Sequence, residues 1–255
     1  MNDGQTVFWN GGVANKSWNV GQILSKIYDN NKSKQAIVVA IHPIDRNREY
    51  THSHWMWKQT YGAVDDYNNY IVKYVKPWID RNYRTLSTVK HTVIAGSSLG
   101  GLAAFHMALS HPSVFGIAIC MSPSFWAGLD FLPLPIMTKY FKSLETSDLI
   151  RKYNDVLQSN HVPILYIDWG LTTAWEIHNS LVERLAASRS NEMVDLLTQK
   201  YGFKQMAVES VQQINDNEKI LLTCIDPYGG HDEIWWDKRL FTIVNVLFDH
   251  IWKFQ

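Results

Sequence analysis

The chain has 255 residues, of which 46% are hydrophobic and 19% charged, with 24 basic side chains against 24 acidic ones. This balance excludes a polyanion-binding surface and a disordered polymer, so nucleic acid is not an expected partner. No apolar run reaches the roughly 20 residues that cross a bilayer, and the opening MNDGQTVFWNGG lacks the charged and apolar regions of a secretory leader. No membrane partner and a cytoplasmic location are therefore expected, with all 255 residues read as one domain.

Helical and strand-like periods alternate along the chain, the pattern of a mainly parallel sheet with helices on both faces, so the fold class is α/β. Val20, Ile23, Leu24 and Ile27 fall at helical spacing, and AIVVAI at 36–41 is a continuous β-branched run suited to a buried strand. From Val64 to Tyr83 the apolar positions recur at threes and fours. Pro77 should bend or break that helix, because proline lacks the N–H donor and clashes one turn back. HTVIAG at 91–96, FGIAICMS at 115–122, VPILYIDWG at 162–170 and KILLTCID at 219–226 read as strands, each short, apolar and bounded by polar or turn residues. FLPLP at 131–135 is too rich in proline for regular structure, and a small cap insertion is expected over about 126–160. Trp175 to Tyr201 and Trp235 to Trp252 read as helices. Cys120 and Cys224 lie in or at the end of strand-like runs, which suits small buried thiols rather than a disulfide.

The chemistry-bearing motif is GSSLGG at 96–101, between the strand ending at Ala95 and the helix-like LAAFHMALSHP. A nucleophile on a sharp strand-to-helix turn needs small neighbours, and Gly96 and Gly100 supply them around Ser98. The following helix directs its unpaired amides toward the site, so the Leu99 N–H becomes one donor to a tetrahedral oxyanion. A serine hydroxyl is a weak nucleophile and needs an imidazole within reach. His231, in DPYGGHDEIWW after the last strand, is placed to be that base; the competing reading is a histidine capping the helix that begins near Asp232.

With these motifs in hand, the chain resembles an esterase family of α/β hydrolases that includes enterobactin and ferric-siderophore esterases, feruloyl esterases and mycolyltransferases. The resemblance runs through DGQ at 3–5, REY at 48–50, KPWIDRNYRT at 76–85, AGSSLGGLAA at 95–104, SPSFW at 122–126 and GGHDEIWWDKRL at 229–240. It implies an α/β-hydrolase fold, Ser98 as nucleophile, His231 as base, Leu99 as one oxyanion donor and the Gly4–Gln5 turn as the second. Members usually carry an acid soon after the glycine that ends the penultimate strand, whereas this chain reads YIDWGLTTAWE there. Glu176, beyond the strand, is the preferred third triad member, with Asp168 inside the strand as the alternative. The resemblance also implies further strands ahead of the DGQ turn, so some N-terminal strands of the sheet are expected to be missing.

The expected activity is cleavage of small-molecule carboxylic esters through an acyl-enzyme on Ser98. Acyl transfer by the same residues and a catalytically degenerate binding or assembly protein are the alternatives; no cofactor is called for, and a homo-oligomer is compatible with each reading. Eleven Trp, 12 Tyr and 10 Phe suggest an aromatic cleft, to which Trp126, Trp175 and Arg48 are assigned. His52 and His54 form an H-x-H pair, far short of a metal ligand set, so no metal is expected.

Overall fold

The computed structural model describes residues 1–11, 15–53, 62–129, 143–172, 178–215 and 217–252. In chain order the elements are α1 (Val20–Asn30), α2 (Arg46–Glu49), α3 (Val64–Tyr70), α4 (Lys76–Asn82), β1 (Val93–Ser97), α5 (Leu99–Ser110), β2 (Ile117–Met121), α6 (Asp148–Gln158), β3 (Ile164–Gly170), α7 (Glu183–Gln199), β4 (Lys204–Ala207), β5 (Ile220–Asp226) and α8 (Glu233–Val246). The strands form one sheet in the order β1-β2-β3-β5-β4. Every pairing in it is parallel.

Strand side chains alternate between two cores, which is why these strands are apolar without interruption. In β2, Ile117, Ile119 and Met121 join α1 and α8 on one face. Ala118 and Cys120 join α3, α5, α6 and α7 on the other. Helix α5 is buried from Leu99 to Leu109. Its small residues let it lie against the sheet: a Cβ on Gly101 would sit 3.1 Å from the Met121 carbonyl oxygen. Cys120 and Cys224 are free and buried, as the strand context indicated.

Three sequence expectations change. Residues 36–41 form no ladder with β1; they hold the first residues of the chain instead. Ile41 N–H donates to the Met1 carbonyl at 2.9 Å, Gly4 N–H to the Ile41 carbonyl at 2.8 Å, and Asn2 N–H to the Ala95 carbonyl at 2.8 Å. A strand is defined by its neighbours, and beside residues 36–39 lies a largely apolar cavity of about 730 Å³ lined by Val38, Val39, Ile79, Val93 and Val244. Second, Pro77 does not end its helix. A π-helical turn, Ile71–Val75, joins α3 to α4, so the proline, with no N–H to give, falls in the first turn of α4 where none is required. Third, β4 is a strand the sequence pattern hides, because its side chains are mostly exposed and its residues, KQMA, lack an apolar alternation. The FLPLP run lies outside the described residues; of the expected cap, α6 is described and buries Leu149, Ile150, Tyr153 and Leu157 in the core.

Candidate active site

Parallel strands end on one side of the sheet, and the site residues gather there. Ser98 follows β1 and opens α5 with φ 55° and ψ −123°, a backbone region costly for any residue with a Cβ. Its N–H donates to the Met121 carbonyl at 2.9 Å, which ties the turn to β2. The flanking glycines are steric requirements. A Cβ on Gly96 would lie 2.3 Å from the Gly100 carbonyl oxygen, and one on Gly100 would lie 2.9 Å from Asp3 Oδ2. The Ser98 and Ser124 hydroxyls are 3.1 Å apart.

Two walls flank the Ser98 turn. At the start of α5 the Leu99 N–H belongs to the unpaired first turn and has no acceptor among the described residues. On the other wall, Gly4 N–H is committed to Ile41, so of the two residues assigned to the second donor only Gln5 keeps its amide without an acceptor among the described residues. Gly4 serves contact instead, since a Cβ there would lie 2.7 Å from the Ile41 backbone. The turn is pinned by Asp3, whose carboxylate takes a two-pronged pair from Arg46, with Nε to Oδ1 at 2.7 Å and Nη2 to Oδ2 at 2.9 Å. Asp3 N–H donates to the Tyr50 hydroxyl at 2.8 Å. Arg46, not Arg48, is the α2 guanidinium at the site; residues two apart on a helix face different ways, and Arg48 is exposed.

His231 lies beyond β5 and is 1% exposed. Its loop crosses the end of β3, where Thr172 N–H donates to the Gly229 carbonyl at 3.0 Å. That crossing requires glycine at 170, because a Cβ there would fall 2.1 Å from the Gly229 oxygen. The helix cap that could have employed His231 is supplied by Asp232, whose side chain accepts from Ile234 N–H at 3.0 Å. Trp236 meets the imidazole edge to face at 5.2 Å between ring centroids, and Trp126 stands at 6.3 Å. Trp126 is 6% exposed and packs with Leu185 and Ala186, so it backs the histidine rather than lining an open cleft.

The carboxylate on His231 is Glu183, at 2.6 Å from Nδ1 to Oε2. This departs from both sequence candidates. Glu176, with Trp175 and His54, lies outside the described residues. Asp168 is fully buried one layer below, where Oδ1 accepts from Ser122 N–H at 2.9 Å and Oδ2 from the Tyr166 hydroxyl at 2.8 Å. It forms an ion pair with Arg239 Nε at 3.3 Å. Burial raises the Asp168 carboxyl to about 6, Arg239 opposing the rise. Glu183 opens α7 and shares its inward face with Ala186, Ala187, Ser190, Met193, Val194 and Leu197, all buried. An acidic residue in register with an apolar stripe was the signal available in the sequence. Its other oxygen, Oε1, accepts from the Ser122 hydroxyl at 2.8 Å and from Gly170 N–H.

Comparison with known proteins places this geometry in context. The family model described as "Putative esterase" matches residues 2–247. A siderophore enterobactin esterase of Emericella nidulans is 29% identical over 68 residues, covering 27% of this chain and 22% of that protein. Among solved structures, an enterobactin esterase from Shigella flexneri superposes with a TM-score of 0.64 at 19% identity, over 96% of this chain and 51% of that one. A siderophore hydrolase from Aspergillus nidulans superposes with a TM-score of 0.61 at 17% identity, over 96% of this chain and 81% of that one. The chain thus spans about half the length of the Shigella structure it matches.

Proposed function

The chain belongs to the esterase family, and from that premise we propose that it hydrolyses carboxylic esters through an acyl-enzyme on Ser98. The observation that carries this reading is the 2.6 Å contact between His231 Nδ1 and Glu183 Oε2, in a fold that also holds Ser98 at φ 55° after β1. Glu183 fixes the imidazole with its proton on Nδ1, leaving Nε2 to take the proton of the Ser98 hydroxyl as it attacks the ester carbonyl. The oxyanion that forms is held by the amides of Leu99 and Gln5. Imidazolium returns its proton to the departing alcohol, and water enters by the same route to release the acid. Two of the neighbours point to aryl acyl compounds: the Shigella enzyme was solved in the presence of 2,3-dihydroxy-N-benzoyl-glycine, and another neighbour is a ferulic acid esterase. Aromatic acyl esters are the substrate class we favour.

A fluorophosphonate probe tests the nucleophile, since it reacts only with an activated serine. Mass spectrometry should place one adduct on Ser98, absent in Ser98→Ala. A folded protein that stays unlabelled would remove the reading. The histidine loop supplies a second check. Gly170→Ala must displace Gly229, and a shift of about 1 Å near a catalytic group lowers the rate by about 100-fold. Turnover of an aryl ester, measured well below the melting transition, should fall by that factor.

A further inference from the structure

Beneath the His231–Glu183 contact lies a buried charge cluster in which Glu183 meets two groups, Asp168 and Arg239, that the proposed reaction does not itself use. Asp168 is 0% exposed, Glu183 1% and Arg239 3%. The Arg239 guanidinium stands between the carboxylates, with Nε 3.3 Å from Asp168 Oδ2 and Nη1 3.9 Å from Glu183 Oε1. Ser122 knots the three together. Its hydroxyl accepts from Arg239 Nη2 at 2.9 Å and from Trp236 Nε1 at 3.1 Å, and donates to Glu183 Oε1 at 2.8 Å. Its backbone N–H donates to Asp168. Ser122 itself is held at φ 39°, a conformation a serine adopts only under such constraint.

We propose that Asp168 and Arg239 are positioning residues that act through Ser122 and Glu183 on His231. Two buried carboxylates face one buried guanidinium, so the resting cluster carries one net negative charge. Protonation of His231 brings the cluster to neutrality at the moment when the imidazolium forms. Alone beside Glu183, Arg239 would draw the carboxylate's charge to itself and weaken its hold on imidazolium. Asp168 occupies the guanidinium from the other side and leaves Glu183 free to serve the histidine. The remaining polar groups around Arg239 and Asp168 are Tyr166, Cys224 and Asp226. This rests on the reading of His231 as the base, but its test does not need turnover.

The experiment is a titration of His231 followed by NMR of protein labelled with 15N-histidine, comparing the parent with Asp168→Asn and with the double variant Asp168→Asn/Arg239→Gln. Asp168→Asn leaves Arg239 facing Glu183 alone, so the His231 midpoint should fall by about one unit. The double variant removes one charge of each sign and frees Glu183 of its cationic neighbour, so the midpoint should lie above the parent's. Opposite displacements are a signature that loss of packing alone does not produce. Should Asp168→Asn fail to fold, the double variant carries the test, because it leaves no new net charge buried. An unmoved midpoint, or one displaced in the same direction in both variants, overturns the proposal. Absent labelling of Ser98 in the parent would instead count against the ester-cleaving reading, and the two failures are thereby distinct.

Discussion

Ser98→Gly should abolish ester turnover and raise the melting temperature, whereas Ser98→Ala should abolish turnover and leave melting nearly unchanged. Loss of a triad serine lowers kcat by about 10⁶-fold. The stability difference follows from the backbone. Ser98 sits at φ 55°, ψ −123°, a strained region that costs about 1–3 kcal/mol for a residue with a Cβ. Glycine enters it readily and loses only about 0.5–1 kcal/mol to its greater freedom when unfolded. A net gain near 1 kcal/mol corresponds to about 2–4 °C for a protein of this size. Alanine retains the Cβ and therefore the strain. Equal melting temperatures for the two variants would mean that the elbow stores no strain.

Replacing Glu183 with Gln should lower kcat by about 10⁴-fold, the loss seen when the acid of a serine triad becomes an amide, with KM little altered. Oε1 would still accept from Ser122 and Gly170, as in the parent. The amide nitrogen would then face His231 Nδ1 and donate to it, moving the imidazole proton to Nε2, where it blocks acceptance from Ser98. Steady-state kinetics on an aryl ester checks this, and a retained kcat would transfer the acid role elsewhere.

What the sequence discloses depends on how locally each feature is determined. The Ser98 turn is written in five adjacent residues, because the steric demand at Gly96 comes from the Gly100 carbonyl within one strand–turn–helix unit. His231 is legible through its neighbours, a strand behind and glycines that let the loop cross β3. Glu183 is not legible in that way. It lies 13 residues beyond Gly170, and its approach to the histidine is set by the path between β3 and α7 rather than by any spacing rule. The same holds for Arg46 and Arg239, whose partners are 43 and 71 residues distant, at Asp3 and Asp168. The sheet was readable where strands are covered on both faces. At its margins the pattern fails both ways: β4 is a strand without an apolar run, and residues 36–41 are an apolar run without a ladder.

The enclosure of His231 has a consequence for how the proton travels. The ring is 1% exposed, flanked by Trp126 and Trp236 and closed on its Nδ1 side by Glu183. Among the described residues, these three groups keep bulk water and buffer ions from the imidazole on its Nδ1 side and on two flanks. Water excluded from those sides does not compete there for the proton lifted from serine, which favours its delivery to the leaving alcohol. The tryptophans thus act as insulation around a proton carrier: their contribution is to keep each proton in the cycle that released it.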